Sequence, residues 1–225
     1  MKTALMSWSG GKDSCLALYE TQRSKTYEVA ALLTTVTRDS DRISMHGVRR
    51  VLLEEQATSL GIPLHPVLIS SGATNDEYET KLAEALRVYR ADQIDSMIFG
   101  DLFLEDIRVY RQQFLERYGI HGIYPIWQRN TTDLLKEFIE LGFKAVVICV
   151  DSKVLNESFA GRIIDATFIA SLPSQVDPCG ENGEFYTFVF DGPTFSRPID
   201  FSIGKHVWRE GFWFCDLLPK TWSPD

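Results

Sequence analysis

Six residues constrain this chain more than any others: Ser9-Gly10-Gly11-Lys12-Asp13-Ser14, which follow an apolar run at 3–8 and open a helical pattern over 15–19. A strand, a tight glycine turn and a helix start, in that order, aim backbone N–H groups and the positive end of a helix at one spot, which makes an anion site. Adjacent glycines let the main chain approach an oxyanion closely and take positive φ without a Cβ clash. Lys12 adds a full positive charge, Ser9 and Ser14 add hydroxyls, and Asp13 could hold a metal that bridges phosphate oxygens. A polyphosphate is the expected ligand. The simpler reading is a glycine turn in which Ser9 or Asp13 caps a helix. A Walker A loop is excluded, because Asp13 stands where Ser or Thr must follow the lysine and Met6 where the first glycine belongs. No G-x-G-x-x-G follows the first strand, so a dinucleotide fingerprint is excluded as well.

Apolar runs alternate with amphipathic helical patterns through the first two-thirds of the chain, the signature of a parallel sheet with crossover helices. Strands are expected at 3–8, 29–36, 63–69 and 96–99, with helices to about residue 22, over 47–60 up to Gly61, and from Asp76 with Tyr78, Leu82, Leu86 and Tyr89 on one face. Residues 121–125 read as irregular, 132–141 as a helix and 144–150 as a last buried strand. Beyond 151 the pattern shortens: one or two short helices within 159–172, then strands at 185–190, 198–203 and 212–217. The aromatic run 208–214 reads as core or as a subunit interface, so a homo-oligomer is among the expectations.

At 225 residues the chain can bury a substantial core. A formal net charge of −8 argues against a general nucleic-acid binder, whose affinity needs a basic surface. Four cysteines stand far apart, at 15, 149, 179 and 215, with no C-x-x-C pair, which suits reduced thiols and a cytoplasmic protein. No run approaches the ~18 apolar residues of a membrane span, so no membrane partner is expected.

In open parallel sheets ligands sit at the carboxyl ends of strands. The exits here are 9–14, 34–46 beginning with Thr34, 70–75, and 100–106. In the last, Gly100 permits close approach, while Asp101, Glu105 and Asp106 crowd carboxylates at a helix start, where negative charge is favourable in any case. Arg108 and Arg111, one turn apart, could clamp a carboxylate or phosphate, or Arg108 could pair with Glu105. A second acidic site lies at 177–185, where Gly180 and Gly183 set Glu181 and Glu184 on a constrained turn before a strand. Such a pair could orient ammonia, act on it as a base, or hold Mg2+, unless it is a solvated acidic hairpin. Cys179 reads as a small buried residue rather than a nucleophile.

Four signatures coincide in order: SGGKDS at 9–14, GDLFLEDIRVYR at 100–111, WQRNTTDLL at 127–135 and CGENGEFYTF at 179–188. With them the chain resembles the diphthine–ammonia ligase (diphthamide synthetase) family of N-type ATP pyrophosphatases. The resemblance implies an α/β fold: a parallel-sheet, adenine nucleotide alpha-hydrolase-like (Rossmann-like) domain over 1–120 and a smaller α+β domain over 121–225 that closes the acceptor site. It implies ATP and Mg2+, adenylation of an acceptor carboxylate, and attack by ammonia to give an amide, AMP and pyrophosphate. The acceptor it implies is diphthine on a translation elongation factor. By position, Ser9, Gly10, Gly11, Lys12, Asp13 and Ser14 would hold the phosphates, with Thr34 and Gly100 also at the nucleotide. Asp101, Glu105, Arg108, Trp127, Arg129 and Asn130 would meet the acceptor, with Gln128 beside them. Lys12, Asp13, Glu181 and Glu184 would carry the chemistry, the last two serving acceptor or ammonium. Two other classes compete: a tRNA-modifying, thiolating ATP pyrophosphatase, and a nucleotide-sensing protein without catalysis.

Overall fold

A computed structural model of the chain describes residues 1–44 and 46–220. Their contacts gather into two compact units: one of residues 1–9, 13–44 and 62–128, the other of residues 10–12, 45–61 and 129–225.

The first unit is built on a mainly parallel sheet. Strand β1 (Lys2–Ser7) lies between β2 (Tyr27–Thr37) and β5 (Ser96–Ile98); β4 (Leu64–Ile69) flanks β2 and β6 (His121–Ile123) flanks β5. The parallel order is therefore β4-β2-β1-β5-β6, and β3 (Arg42–Ile43) adds a two-residue antiparallel ladder at the end of β2. Order reverses between β1 and β5, the switch point where doubly wound sheets leave a crevice. Ala4, Leu5, Met6 and Leu32 are fully buried, as expected of strands covered on both faces.

Helix α3 (Asn75–Ala91) begins where Thr74 accepts from the Glu77 N–H at 3.2 Å, and the Glu77 carboxylate accepts from the Ser70 N–H at 2.7 Å. Leu82 and Leu86 enter the core with Phe114 and Leu115 of α4 (Glu105–Glu116), and Tyr78 and Tyr89 pack at its edge, the face expected from their spacing. Residues 121–125, expected to be irregular, contain β6. Three residues are too few to show a period, and what fixes them is the ladder, with the Phe99 N–H donating to the Ile123 carbonyl at 2.9 Å.

Strand β4 is the sheet's outer strand on its side. Pro63 and Ile69 turn their carbonyls toward β2, accepting from Leu32 and Arg38, so Pro66 by alternation turns its nitrogen outward. A residue with no N–H is tolerated there and nowhere more central.

In the second unit an antiparallel sheet runs β8 (Phe185–Asp191), β7 (Lys144–Asp151), β10 (Phe212–Pro219), β9 (Phe201–Arg209). Strand β7, which its apolar run alone would place last in the parallel series, is instead a central strand here, with Ala145 to Val150 all buried. A continuous apolar run reports burial on both faces and says nothing of which sheet provides it. Helix α5 (Thr131–Glu140) buries Leu134, Leu135 and Phe138, the last stacked on Phe143 at 5.0 Å. Rings of Phe159, Phe168 and Phe185 meet edge to face around α6 (Ala166–Ser171).

Helix α2 (Arg50–Leu60) belongs to this unit although it falls between two strands of the other in sequence. Arg49 makes a two-pronged ion pair with Asp216, at 3.1 and 2.7 Å, and Ser59 exchanges hydrogen bonds with Ser196 and Arg197.

Within the first unit, Gly100 is required by space rather than by φ. A Cβ there would lie 2.7 Å from the Asp13 carbonyl carbon and 2.9 Å from the Ser14 nitrogen. These are backbone atoms at the start of α1 (Lys12–Ser24), which no rotamer change can move aside. Gly100→Ala is therefore expected to lower stability in urea by about 1–3 kcal/mol, the cost of overpacking. A loss of only a few tenths would mean that the strand exit and the helix start are not held against each other.

Candidate functional site

The centre of the glycine loop belongs to the second unit and is bonded to β8. The Gly10 carbonyl accepts from the Val189 N–H at 2.9 Å and from the Gln56 amide at 3.0 Å, and the same Gln56 nitrogen donates to the Val189 carbonyl at 2.6 Å. Gln56 is fully buried on α2. Gly10 has φ +75°, and a Cβ there would sit 2.7 Å from the Gln56 Oε1, so both backbone and space call for glycine. One residue on, the Lys12 N–H donates to the Thr187 hydroxyl at 3.1 Å.

The Lys12 ammonium is buried and donates to the Cys179 carbonyl, with the Phe185 ring 5.6 Å away. That carbonyl is part of a turn at 177–184 whose every bend is hydrogen-bonded. Asp177 accepts from the Cys179 N–H at 2.9 Å, from the Glu181 N–H at 3.3 Å and from the Thr131 hydroxyl at 2.7 Å. Glu184 accepts from the Asp177 N–H at 3.0 Å and from the backbone and side chain of Asn182 at 2.9 and 3.0 Å. Burial works against the Glu184 charge, but these donors outweigh it and hold the carboxyl below its ordinary range. Gly180 has φ +71°, and a Cβ there would lie 2.7 Å from the Phe185 carbonyl. Glu184 thus braces the turn, and Glu181, half-buried, stands upon it. Cys179 is buried and its thiol donates to the Thr131 carbonyl at 3.3 Å, the setting of a packed thiol. All four cysteines are buried as thiols rather than joined in disulfides.

The remaining candidates fall in the first unit. Ser9 and Ser14 hydroxyls lie 3.2 Å apart. Asp101 pairs with Arg111; burial pushes its carboxyl above the usual range, Arg111 pulls it down, and the charge of Asp13 pushes it up again. Arg108 bonds Glu105 at 2.7 Å on the exposed face of α4 and covers the Trp127 ring at 4.6 Å, so the i,i+3 pair is formed as well as any clamp. Thr34 is 2% exposed, its hydroxyl lacks a hydrogen-bond partner, and it lines a cavity of about 30 Å³, room for about one water. In the second unit Arg129 pairs with Glu137, and Asn130 caps α5 by accepting from the Asp133 N–H at 3.0 Å.

Two residues of this arrangement lie outside the four signatures, Gln56 and His46, and Thr187 lies within the last of them without a role read from it. Gln56 did leave a trace, since a polar side chain on the buried stripe Leu52, Leu53, Ala57 must have internal partners. His46 packs its ring on Tyr186 at 4.6 Å and lies in the field of Lys12.

The loop thus carries a glycine where a Cβ would strike Gln56 and a lysine whose ammonium turns to the Cys179 carbonyl. Among the described residues no three His, Cys, Asp or Glu side chains converge as a metal cage. No helix among the described residues is long and apolar enough to cross a membrane.

Two family models match successive parts of the chain. The model of the diphthamide synthase N-terminal domain matches residues 1–122, and that of the diphthamide synthase C-terminal domain matches residues 130–220. The diphthine–ammonia ligase of Bos taurus is 25% identical over 214 residues, 85% of this chain and 79% of the relative. That of Danio rerio is 26% identical over 215 residues, 85% and 83% of the two chains. The Schizosaccharomyces pombe ligase is 25% identical over 236 residues, covering 96% of this chain but 39% of its own length. A solved Methanocaldococcus jannaschii protein, described as a predicted subunit of tRNA methyltransferase, superposes on 65% of this chain and 80% of its own with a TM-score of 0.43 and 21% identity. With both halves of the chain matched in their proper order, the protein belongs to the diphthamide synthase family of AMP-forming ligases.

Proposed function

We propose that this protein is an ATP-dependent ligase that adenylates an acceptor carboxylate and converts it with ammonia to an amide, the acceptor being diphthine on a protein such as a translation elongation factor. The observation that carries the reading is the bond from the Lys12 ammonium to the Cys179 carbonyl, which brings the phosphate-loop lysine to the acidic turn that bears Glu181. Neither half has an evident purpose without the other. A cation in a glycine loop suits a polyphosphate, and a braced carboxylate next to it suits an ammonium or acyl group.

In this reading the amino end of α1 and the hydroxyls of Ser9 and Ser14 hold phosphate oxygens, and Lys12 offsets the charge that accumulates on the departing pyrophosphate. Mg2+, when bound through Asp13, would supply further charge neutralisation there. Glu181 orients the ammonium, and Glu184 keeps the turn that carries Glu181 in shape. The relatives' names favour a ligase over a thiolating tRNA enzyme or a nucleotide sensor, and the cytoplasm is its expected site.

With ATP, ammonium and a diphthine-bearing elongation factor, the products should be the amide, AMP and pyrophosphate. Release of ADP and phosphate would reject the mechanism. Lys12→Ala should lower turnover by roughly 100- to 1,000-fold, as the loss of one preorganised charge stabiliser does, while the far-ultraviolet circular dichroism stays unchanged.

Glu184→Gln separates structure from chemistry. Its carboxylate accepts three hydrogen bonds in a nearly closed site, so the amide should cost about 1–3 kcal/mol at neutral pH. Because the folded carboxyl lies below its ordinary value, this contribution is complete above about pH 4.3. It fades as pH falls through the lower folded value. Urea titrations of the two proteins should therefore differ at pH 7 and converge in acid; a constant gap would show that the bonds do not depend on the charge.

A further inference from the structure

His46 is a half-buried titratable residue that the mechanism above leaves unused. It sits in the second unit ahead of α2, with its ring 4.6 Å from that of Tyr186 at a 51° tilt. Its Nδ1 is shielded from solvent yet has no hydrogen-bond partner among the described residues. A buried ring nitrogen without a partner is rare and calls for a reason.

The surroundings supply one. Burial, and then the charge of Lys12, hold the imidazole at about 4, so it is neutral at physiological pH. In the Nε2–H tautomer, Nδ1 presents a lone pair. Its ring partner, Tyr186, lies in the fields of Cys149, Asp151, Glu181 and Glu184. Of the other groups, Lys12 is already a cation, Glu184 is committed to three donors, burial raises the Tyr186 hydroxyl so that it keeps its own proton, and Glu181 is the carboxylate assigned above to orienting the ammonium.

We propose that His46 is the general base of the amide-forming step, a role that rests on the ligase reading. The ammonia lone pair forms the C–N bond to the acyl carbon of the adenylated acceptor. The bond from that carbon to the phosphate oxygen breaks, and its electron pair leaves on AMP. The proton lost from nitrogen passes to Nδ1 of His46. Phosphates bound at Lys12 would offset the charge that depresses the imidazole, so the ring gains basicity when the nucleotide is in place.

The test uses the full chain with diphthine-bearing elongation factor 2 from yeast that lacks its own ligase, comparing unaltered protein, His46→Asn and His46→Gln. Asn keeps a hydrogen-bonding group near the Nδ1 position but cannot take the proton. Acceptor-dependent exchange of pyrophosphate into ATP reads adenylation alone. Hydroxylamine in place of ammonia reads acyl transfer that has little need of a base.

Both variants should keep exchange and hydroxamate formation within about threefold, whereas ammonia-dependent amide formation falls by roughly 100- to 10,000-fold in kcat and recovers in part with added imidazole. Amide formation that stays normal in either variant would overturn the proposal. So would equal loss of exchange and amide formation in both, which would place His46 at the nucleotide or in the fold. No exchange in the unaltered protein would instead strike the ligase reading itself.

Discussion

The Gly10 carbonyl is the point on which the second unit's arrangement around the glycine loop depends. Two donors converge on it, one from the backbone of β8 and one from a buried glutamine, and the next turn of chain is tied to the same strand through Thr187. A glycine loop left to itself samples many conformations, and ordering each residue costs on the order of 1–2 kcal/mol. Bonding the loop to a strand meets that cost during folding, so a ligand need not. The loop's shape is therefore set by Gln56, Thr187 and Val189, which lie outside it in sequence.

The same logic governs the turn at 177–184. It contains two glycines, three acidic residues and a cysteine, a composition that would be mobile on a surface. Asp177 and Glu184 instead accept six hydrogen bonds between them, mostly from the backbone of the turn itself. One carboxylate of the GENGEF sequence is thereby structural, and in the proposed reading the other serves the acceptor. Two carboxylates placed close together thus divide their roles through their donors.

Much of this was legible in the residues. The strand, loop and helix at the amino end, the face of α3 and the strands after 184 follow from period and from turn chemistry. What was not legible has physical causes. Strand β6 is too short to show a period, and β7 is apolar throughout, which suits either sheet. Helix α2 stands where a crossover helix of the parallel sheet is expected, yet its polar partners, Asp216, Ser196 and Arg197, lie more than a hundred residues away. His46 sits in a polar stretch among four charged residues, where one more polar side chain carries no signal; only its ring contact and unpartnered nitrogen mark it.

Pro66 at the margin of β4 has an effect beyond its own strand. A foreign strand docking there would find carbonyls but a missing donor midway along, so a continuous ladder could not form. An outer strand of this kind resists templating by neighbouring molecules, which matters most on a crowded ribosome-rich background while the chain is still incomplete. The imino acid therefore acts as a guard against polymerisation, at a place where it costs the native sheet no hydrogen bond.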